Sequence, residues 1–337
     1  MGASQSKSSP ASESVAAPSE LNEKRISNDF AKLAITSSTP ASVDGTITPT
    51  QFSSWEEEIA TKPQVELART ILNHTDLRAT LKSRKAVITD SHVFNHELKF
   101  KTGPVTNQKS SGRCWLFATT NYYDKDGKAG RWEGTSKELY EIAKGDYSPA
   151  DSFSLINDPR NDYGKLYTVD KLGNLWGGRP VLYVNTEIDN LKAAVVKQIK
   201  AGQSVFFGCD VGQFSERVDG IMDTALFDYE TPFDITLGLT KADRLRVGES
   251  AMTHAMVISG VHLNAEGKPV RYKVENSWGD AAGNKGYYLM TDAWFEQFVY
   301  QVVIPKALAP KELVKVYESD DRVVLPAWDP MVGSILS

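Results

Sequence analysis

At 337 residues, 41% of them hydrophobic, the chain is long enough to bury a sizeable core as two domains or one large domain with extensions. A formal net charge of −5 gives no bulk attraction for nucleic acid or an anionic membrane. The two cysteines, Cys114 and Cys209, exclude a disulfide framework and fit a reducing cytosol, and no apolar run reaches transmembrane length. Residues 1–45, rich in Ser, Ala, Thr and Pro, are expected to form a disordered leader, because they cannot bury enough apolar surface to offset ordering entropy. A short helical pattern occupies residues 21–35. The opening Met1-Gly2-Ala3-Ser4-Gln5-Ser6 matches the N-myristoylation pattern at Gly2, and a single acyl chain there would anchor the protein to a membrane only marginally. The leader has no Arg before Arg25 and carries Glu13, Glu20 and Glu23, unlike a mitochondrial transit peptide.

From residue 46 to 100 the sequence predicts a helical arm and an extended lead-in. A Thr48-Pro49-Thr50 start signal precedes Phe52, Trp55 and Ile59 at helical spacing, and Pro63 opens a second helix running to residue 73. The arm is expected to pack on the domain that follows, and residues 86–103 read as extended. His92 and His96 stand four apart, but in a loop and strand, and the five histidines show no metal-ligand spacing with cysteine. No metal or cofactor is expected. Residues 114–121 read as a helix of about two turns whose Trp115, Leu116 and Phe117 bury themselves in the core. Residues 136–143 read as a short helix. Turn signals at Leu172-Gly173-Asn174 and Gly177-Gly178 flank a strand pair, with a strand over 180–184. The clearest helix is 187–200, where Ile188, Leu191, Val195 and Ile199 repeat at three and four and Gly202 ends it. Residues 204–209 form a buried strand with Cys209 as a core residue. Mixed short elements follow, among them a charged face at Lys241-Ala242-Asp243-Arg244-Leu245-Arg246 that reads as solvated. Strands at 254–261, 270–276 and 286–290, a helix at 292–298 and a strand at 300–304 complete the pattern.

Three local motifs carry chemistry. In Gln108-Lys109-Ser110-Ser111-Gly112-Arg113-Cys114-Trp115 a thiol stands at the start of a helix, where unpaired N–H groups and the positive dipole end favour the thiolate. Gly112 lets the backbone bend into the helix. The Gln108 amide and the Cys114 N–H can together hold the oxyanion of a tetrahedral intermediate. His254, in Met252-Thr253-His254-Ala255-Met256, and Asn276, in Val274-Glu275-Asn276-Ser277-Trp278-Gly279, supply a base and a neutral group to orient it, with Trp278 over their hydrogen bond. The alternative for Cys114 alone is a buried structural cysteine. His254 follows Cys114 within the papain range of roughly 130–150 residues, and Asn276 falls slightly beyond it.

Residues Pro104 to Ala118 resemble the active-site segment of the bleomycin hydrolase family of papain-like cysteine aminopeptidases. The stretches 151–164, with Leu155-Ile156-Asn157-Asp158-Pro159-Arg160, 249–256, 271–279 and Leu325-Pro326-Ala327-Trp328-Asp329-Pro330-Met331 resemble it too. The resemblance runs from about residue 54 to 337 with one large gap. Asn121 leads straight into Tyr122-Tyr123-Asp124-Lys125, where the family carries a long, mostly helical segment. The resemblance implies an α+β papain-like fold with a helical left half and a β-rich right half over residues 101–337, internally truncated. It implies Cys114 as nucleophile, His254 as base, Asn276 as orienting residue and Gln108 in the oxyanion hole. It also implies that the C-terminal tail lies in the cleft, the carboxylate of Ser337 receiving the substrate's α-amino group beside Trp278. The expected activity is removal of N-terminal residues from peptides and hydrolysis of bleomycin-like amides in the cytoplasm, by a homo-hexamer if the deletion permits one. Two rivals are a catalytically impaired short form or mis-spliced product and a nucleic-acid-binding member of the same family, which the net charge disfavours.

Overall fold

The computed structural model describes residues 45–89, 91–99, 104–117, 135, 137–138, 151–173, 178 and 180–332. Residues 1–44 of the expected leader, the myristoylation pattern at Gly2 and Ser337 lie outside these residues, as does the helix expected at 136–143 apart from residues 137–138, which are helical. The chain forms two compact units, Met1–Leu67 and Ala68–Ser337.

In the first unit, helix α1 (Pro49–Ala60) starts where the sequence places it. Thr48 and Gln51 close a reciprocal capping box: the Gln51 N–H donates to Thr48 Oγ1 at 3.2 Å, and the Thr48 N–H donates to Gln51 Oε1 at 2.9 Å. Helix α2 (Pro63–Leu72), whose residues from Ala68 on belong to the second unit, begins on a proline, which suits the first turn because its missing N–H is unpaired there anyway.

The second unit continues with two short helices, α3 (Leu77–Leu81) and α4 (Arg84–Thr89), the latter running through residues 86–89, which the sequence predicts as extended. Its strands are β1 (His96–Glu97), β2 (Ser152–Ile156), β3 (Lys165–Val169) and β4 (Tyr183–Asn185), followed by helix α5 (Ile188–Lys200), then β5 (Val205–Cys209), β6 (Ser215–Glu216) and β7 (Ile221–Met222). Helices α6 (Glu230–Phe233) and α7 (Lys241–Arg246) precede β8 (His254–Leu263), β9 (Pro269–Glu275) and β10 (Tyr287–Thr291). Helix α8 (Asp292–Phe298), strand β11 (Val299–Pro305), helix α9 (Lys311–Glu318) and strand β12 (Arg322–Leu325) close the order. The strands form one sheet, β12-β3-β4-β2-β11-β5-β8-β9-β10-β7-β6, with β1 on β8.

Period-two alternation gives the sheet two cores. Phe153 and Leu155 of β2, Leu166 of β3 and Val184 of β4 join the larger one, under Leu191, Val195 and Ile199 of α5 and Trp294 and Phe295 of α8. Ile156, Tyr167 and Tyr183 face the other way and pack with Met252, Tyr300 and Met331. Each fully buried aliphatic side chain of α5 contributes roughly 1.5–3 kcal/mol, which makes that helix the main cover of the sheet.

Two expectations change. The face of α7 is not solvated: Lys241 is buried, and its ammonium donates to Asn157 Oδ1 at 2.9 Å, Glu296 O at 3.1 Å and Val299 O at 2.7 Å. A buried cation is tolerated only when acceptors surround it, and the end of α8 and start of β11 supply two carbonyls. Trp115 and Leu116 are not core residues, being 45% and 38% exposed. Residues 114–117 are helical, so at about 100° per residue Cys114 and Phe117 share the inward face while 115 and 116 turn outward.

Candidate active site

The larger core ends in a row of polar side chains. Register partners in an antiparallel pair point to the same face, and Cys209 at the end of β5 is paired with His254 at the start of β8. On β9, Tyr272 and Val274 face this core, so Asn276, two residues on, points the same way. Cys209, His254 and Asn276 therefore sit at one end of three neighbouring strands, β5, β8 and β9. His254 and Asn276 meet there, with His254 Nε2 2.9 Å from Asn276 Oδ1. Asn276 Oδ1 also accepts the Ser277 backbone N–H at 2.8 Å, which fixes the amide with its oxygen toward the imidazole. With Nε2–H donating to that oxygen, His254 Nδ1 is left to exchange a proton.

The pair is dry, His254 being 5% and Asn276 1% exposed. Burial lowers the affinity of His254 for a proton, and the hydrogen bond to Asn276 works the other way. The Trp278 ring lies 5.1 Å from the imidazole, tilted by 31°, and rests edge-on against Tyr288 at 5.9 Å. It covers the imidazole, as the sequence suggested.

The Cys114 segment is tied to the Asn276 loop by backbone bonds. The Gln108 N–H donates to Ser277 O at 2.8 Å, the Gly279 N–H donates to Thr106 O at 3.1 Å, and Asn107 bridges Trp278. Gly279, at φ 81°, is required here: a Cβ would meet the Asn107 side chain at 3.1 Å. Gly112, at φ 64°, makes the bend into the helix, whose first bonds run from Leu116 and Phe117 N–H to Arg113 O at 3.0 Å. Cys114 is the first helical residue, 2% exposed. It stands close enough to Cys209 to act on that thiol's ionisation, which complete burial, then the Asp210 charge and Cys114, push well above the ordinary thiol value.

Sequence reasoning missed two supporting groups. Ser277 Oγ donates to Gln108 Oε1 at 3.0 Å, which turns the NH₂ end of that amide outward as a donor. Arg160 joins two of the motifs, its Nη2 lying 2.7 Å from Asp158 Oδ2 and 2.9 Å from Asp329 Oδ1. Burial works against the charge on Arg160, but Asp158 and Asp329 outweigh it and hold the guanidinium above its ordinary range. Asp329 thereby fixes the chain near its last described residues, and Pro330 O accepts the Met252 N–H at 3.1 Å, two residues before His254. Neither group has a signal of its own in sequence.

Among the described residues, no group of three or more His, Cys, Asp or Glu is arranged to hold a metal ion, and no helix is long and apolar enough to cross a membrane. The profile of the Peptidase C1-like family matches residues 46–126 and 119–332. Over 219 residues the chain is 45% identical to aminopeptidase C of Streptococcus thermophilus, covering 64% of this chain and 48% of that protein. Over 190 residues it is 47% identical to bleomycin hydrolase of Mus musculus, covering 55% of this chain and 40% of that one. It thus spans about half the length of the curated relatives it matches. The crystal structure of PepW from Lactobacillus rhamnosis HN001 superposes with a TM-score of 0.74 at 29% identity, covering 86% of this chain and 99% of the other.

Proposed function

The chain belongs to the Peptidase C1-like family with an α+β, papain-like fold, and from that position we propose that it is a cysteine aminopeptidase of the bleomycin hydrolase type. The observation that carries this reading is the buried His254–Asn276 pair under Trp278, with the segment that leads into Cys114 tied by backbone bonds to the loop that follows Asn276. In the reaction the Cys114 thiol passes its proton to His254 Nδ1, and its sulfur attacks the carbonyl carbon of the first peptide bond, forming a C–S bond. The Gln108 NH₂, turned outward by Ser277, and the Cys114 N–H hold the oxyanion. As the C–N bond breaks, His254 Nδ1 gives its proton to the leaving amine. Water then attacks the thioester, His254 takes its proton, and the acid departs as the thiol re-forms. Asn276 keeps the imidazole in the tautomer this sequence needs.

Peptides with a free α-amino group are the substrates in this reading. In this reading the carboxylate of Ser337, brought to the cleft by the C-terminal tail, receives that amino group. Two free cysteines suit the reducing cytoplasm. The test is hydrolysis of an aminoacyl-coumarin amide beside its N-acetylated form. Release from the free-amine substrate alone, abolished by Cys114→Ala and reduced about a hundredfold or more by Asn276→Ala with unchanged circular dichroism, supports the reading. Equal rates on both substrates would remove the aminopeptidase assignment, and an active Cys114→Ala protein would remove the nucleophile.

A further inference from the structure

Trp278 has a further neighbour besides His254 and Tyr288. The guanidinium of Arg217 lies over its ring, 5.6 Å from the centroid. Both side chains line a cavity of about 480 Å³, together with Lys82, Glu216, Asp76 and Phe227. Arg217 lies between β6 and β7, and its backbone is pinned there. Its carbonyl accepts the Gly283 N–H at 2.9 Å, and the Tyr288 hydroxyl at 3.4 Å.

The other charges of the cavity are engaged. The Glu216 carboxylate accepts the Val218 and Asp219 N–H groups at 2.9 and 2.7 Å and lies 3.6 Å from Lys82, which also pairs with Asp219. Asp76 caps α3 by accepting the Ala79 N–H at 2.8 Å. Arg78 donates to Gly212 O at 3.0 Å. Among the described residues Arg217 has no ion pair, and its guanidinium lies over the indole face. An exposed guanidinium held over an aromatic ring keeps its forked donors available for a carboxylate.

The chemistry gives the side of the substrate. The leaving nitrogen must take its proton from His254, so whatever that nitrogen carries lies on the imidazole's side, where Trp278 and then Arg217 follow. We propose that Arg217 is a specificity-determining residue that binds a carboxylate on the leaving group, the α-carboxylate of a dipeptide or the side chain of an acidic second residue. This rests on the peptidase reading above.

The test compares kcat/KM for two pairs: Ala-Ala with Ala-Ala-amide, and Ala-Glu-amide with Ala-Gln-amide. The carboxylate member of at least one pair should be preferred about threefold to tenfold at low salt, less at high salt. That ratio should fall toward one in Arg217→Gln and persist in Arg217→Lys. The pair that shows it identifies the source of the carboxylate. Ratios of one in the parent, or a ratio unchanged in Arg217→Gln, would overturn the proposal, as would an equal loss on both members of a pair. If the parent hydrolyses neither pair, the peptidase reading fails, and calorimetric binding of the same peptides to the Cys114→Ala protein decides the subsite. A carboxylate preference lost on adding Arg217→Gln supports it, and equal affinities sink it.

Discussion

Single atoms decide whether this site can work, and Ser277 is the clearest case. Its hydroxyl holds Gln108 Oε1, so Ser277→Ala frees the amide to rotate while leaving every catalytic group in place. We expect kcat for an aminoacyl-coumarin amide to fall about tenfold with KM little changed, less than the roughly 10²–10³ lost when an oxyanion donor is removed outright. An unchanged kcat would show that Ser277 does not orient the donor. The two thiols differ by environment. Cys209 is fully buried in β5 and its thiolate is strongly disfavoured, whereas Cys114 is the first residue of a helical turn. Iodoacetamide near neutral pH should modify Cys114 much faster, read by peptide mass, and equal rates would remove the activation argument. Glu275, next to Asn276, is a third case. Burial pushes its carboxyl up to about 7 from an ordinary 4.5, with Tyr287 and the Lys273 charge pulling back. The folded state therefore holds a proton that the unfolded state loses between those values, so this group's contribution is full below pH 4.5 and is lost as pH rises to 7. Glu275→Gln should be the more stable protein at pH 7 relative to the parent, by about 2–3 kcal/mol when referenced to the difference at pH 4. Denaturant melts at both pH values check it, and parallel pH profiles would contradict the buried carboxyl.

Between elements, the polar link of Arg160 does work that the hydrophobic pattern cannot. It ties the turn after β2 to the segment after β12, which are far apart in the chain and adjacent through the β12-β3-β4-β2 run of the sheet. Replacing Arg160 with Leu leaves Asp158 and Asp329 buried and unpaired, and breaking such a pair costs about 3–5 kcal/mol. We expect the variant to melt several degrees lower and to be cleaved by carboxypeptidase faster than the parent. A variant that melts with the parent would mean the two carboxyls find protons or water at little cost. The same scale explains α7. Its six residues look amphiphilic in isolation, yet the carbonyls of Glu296 and Val299 turn Lys241 inward.

Across the whole molecule, the chain spans about half of its longer relatives, and the two stretches matched by the family profile overlap at residues 119–126, where the sequence indicates a missing helical segment. Directly before it, Trp115 and Leu116 are exposed. Inserting the relatives' segment between Asn121 and Tyr122 should cover them. Burying one such side chain is worth roughly 1.5–3 kcal/mol, a noticeable part of a typical total of roughly 5–15 kcal/mol. The longer chain should melt a few degrees higher and turn over substrate faster, since a displacement near 1 Å of the nucleophile lowers rate about a hundredfold. Equal melting temperatures and equal turnover would show that the short form is complete in function.

The sequence by itself determined the elements whose information is local. Helix α5 reads from its apolar repeat and terminal glycine, α1 from its Thr-Pro start, and the strands β8, β9 and β10 from short apolar runs. It also named the candidate site residues Cys114, His254, Asn276, Gln108 and Trp278, because they stand in three short local motifs, whereas Ser337 lies beyond the described residues. Tertiary structure decided what depends on pairing over long separations. The register that sets Cys209 against His254 fixes which strand ends converge, and no period along the chain encodes it. Ser277 orienting Gln108, Arg160 joining Asp158 to Asp329, and Arg217 lying over Trp278 are contacts between ordinary polar residues. Burial by elements distant in sequence also decided that Lys241 is inside and that Trp115 is not, since solvent exposure belongs to the packed surface and not to the residue.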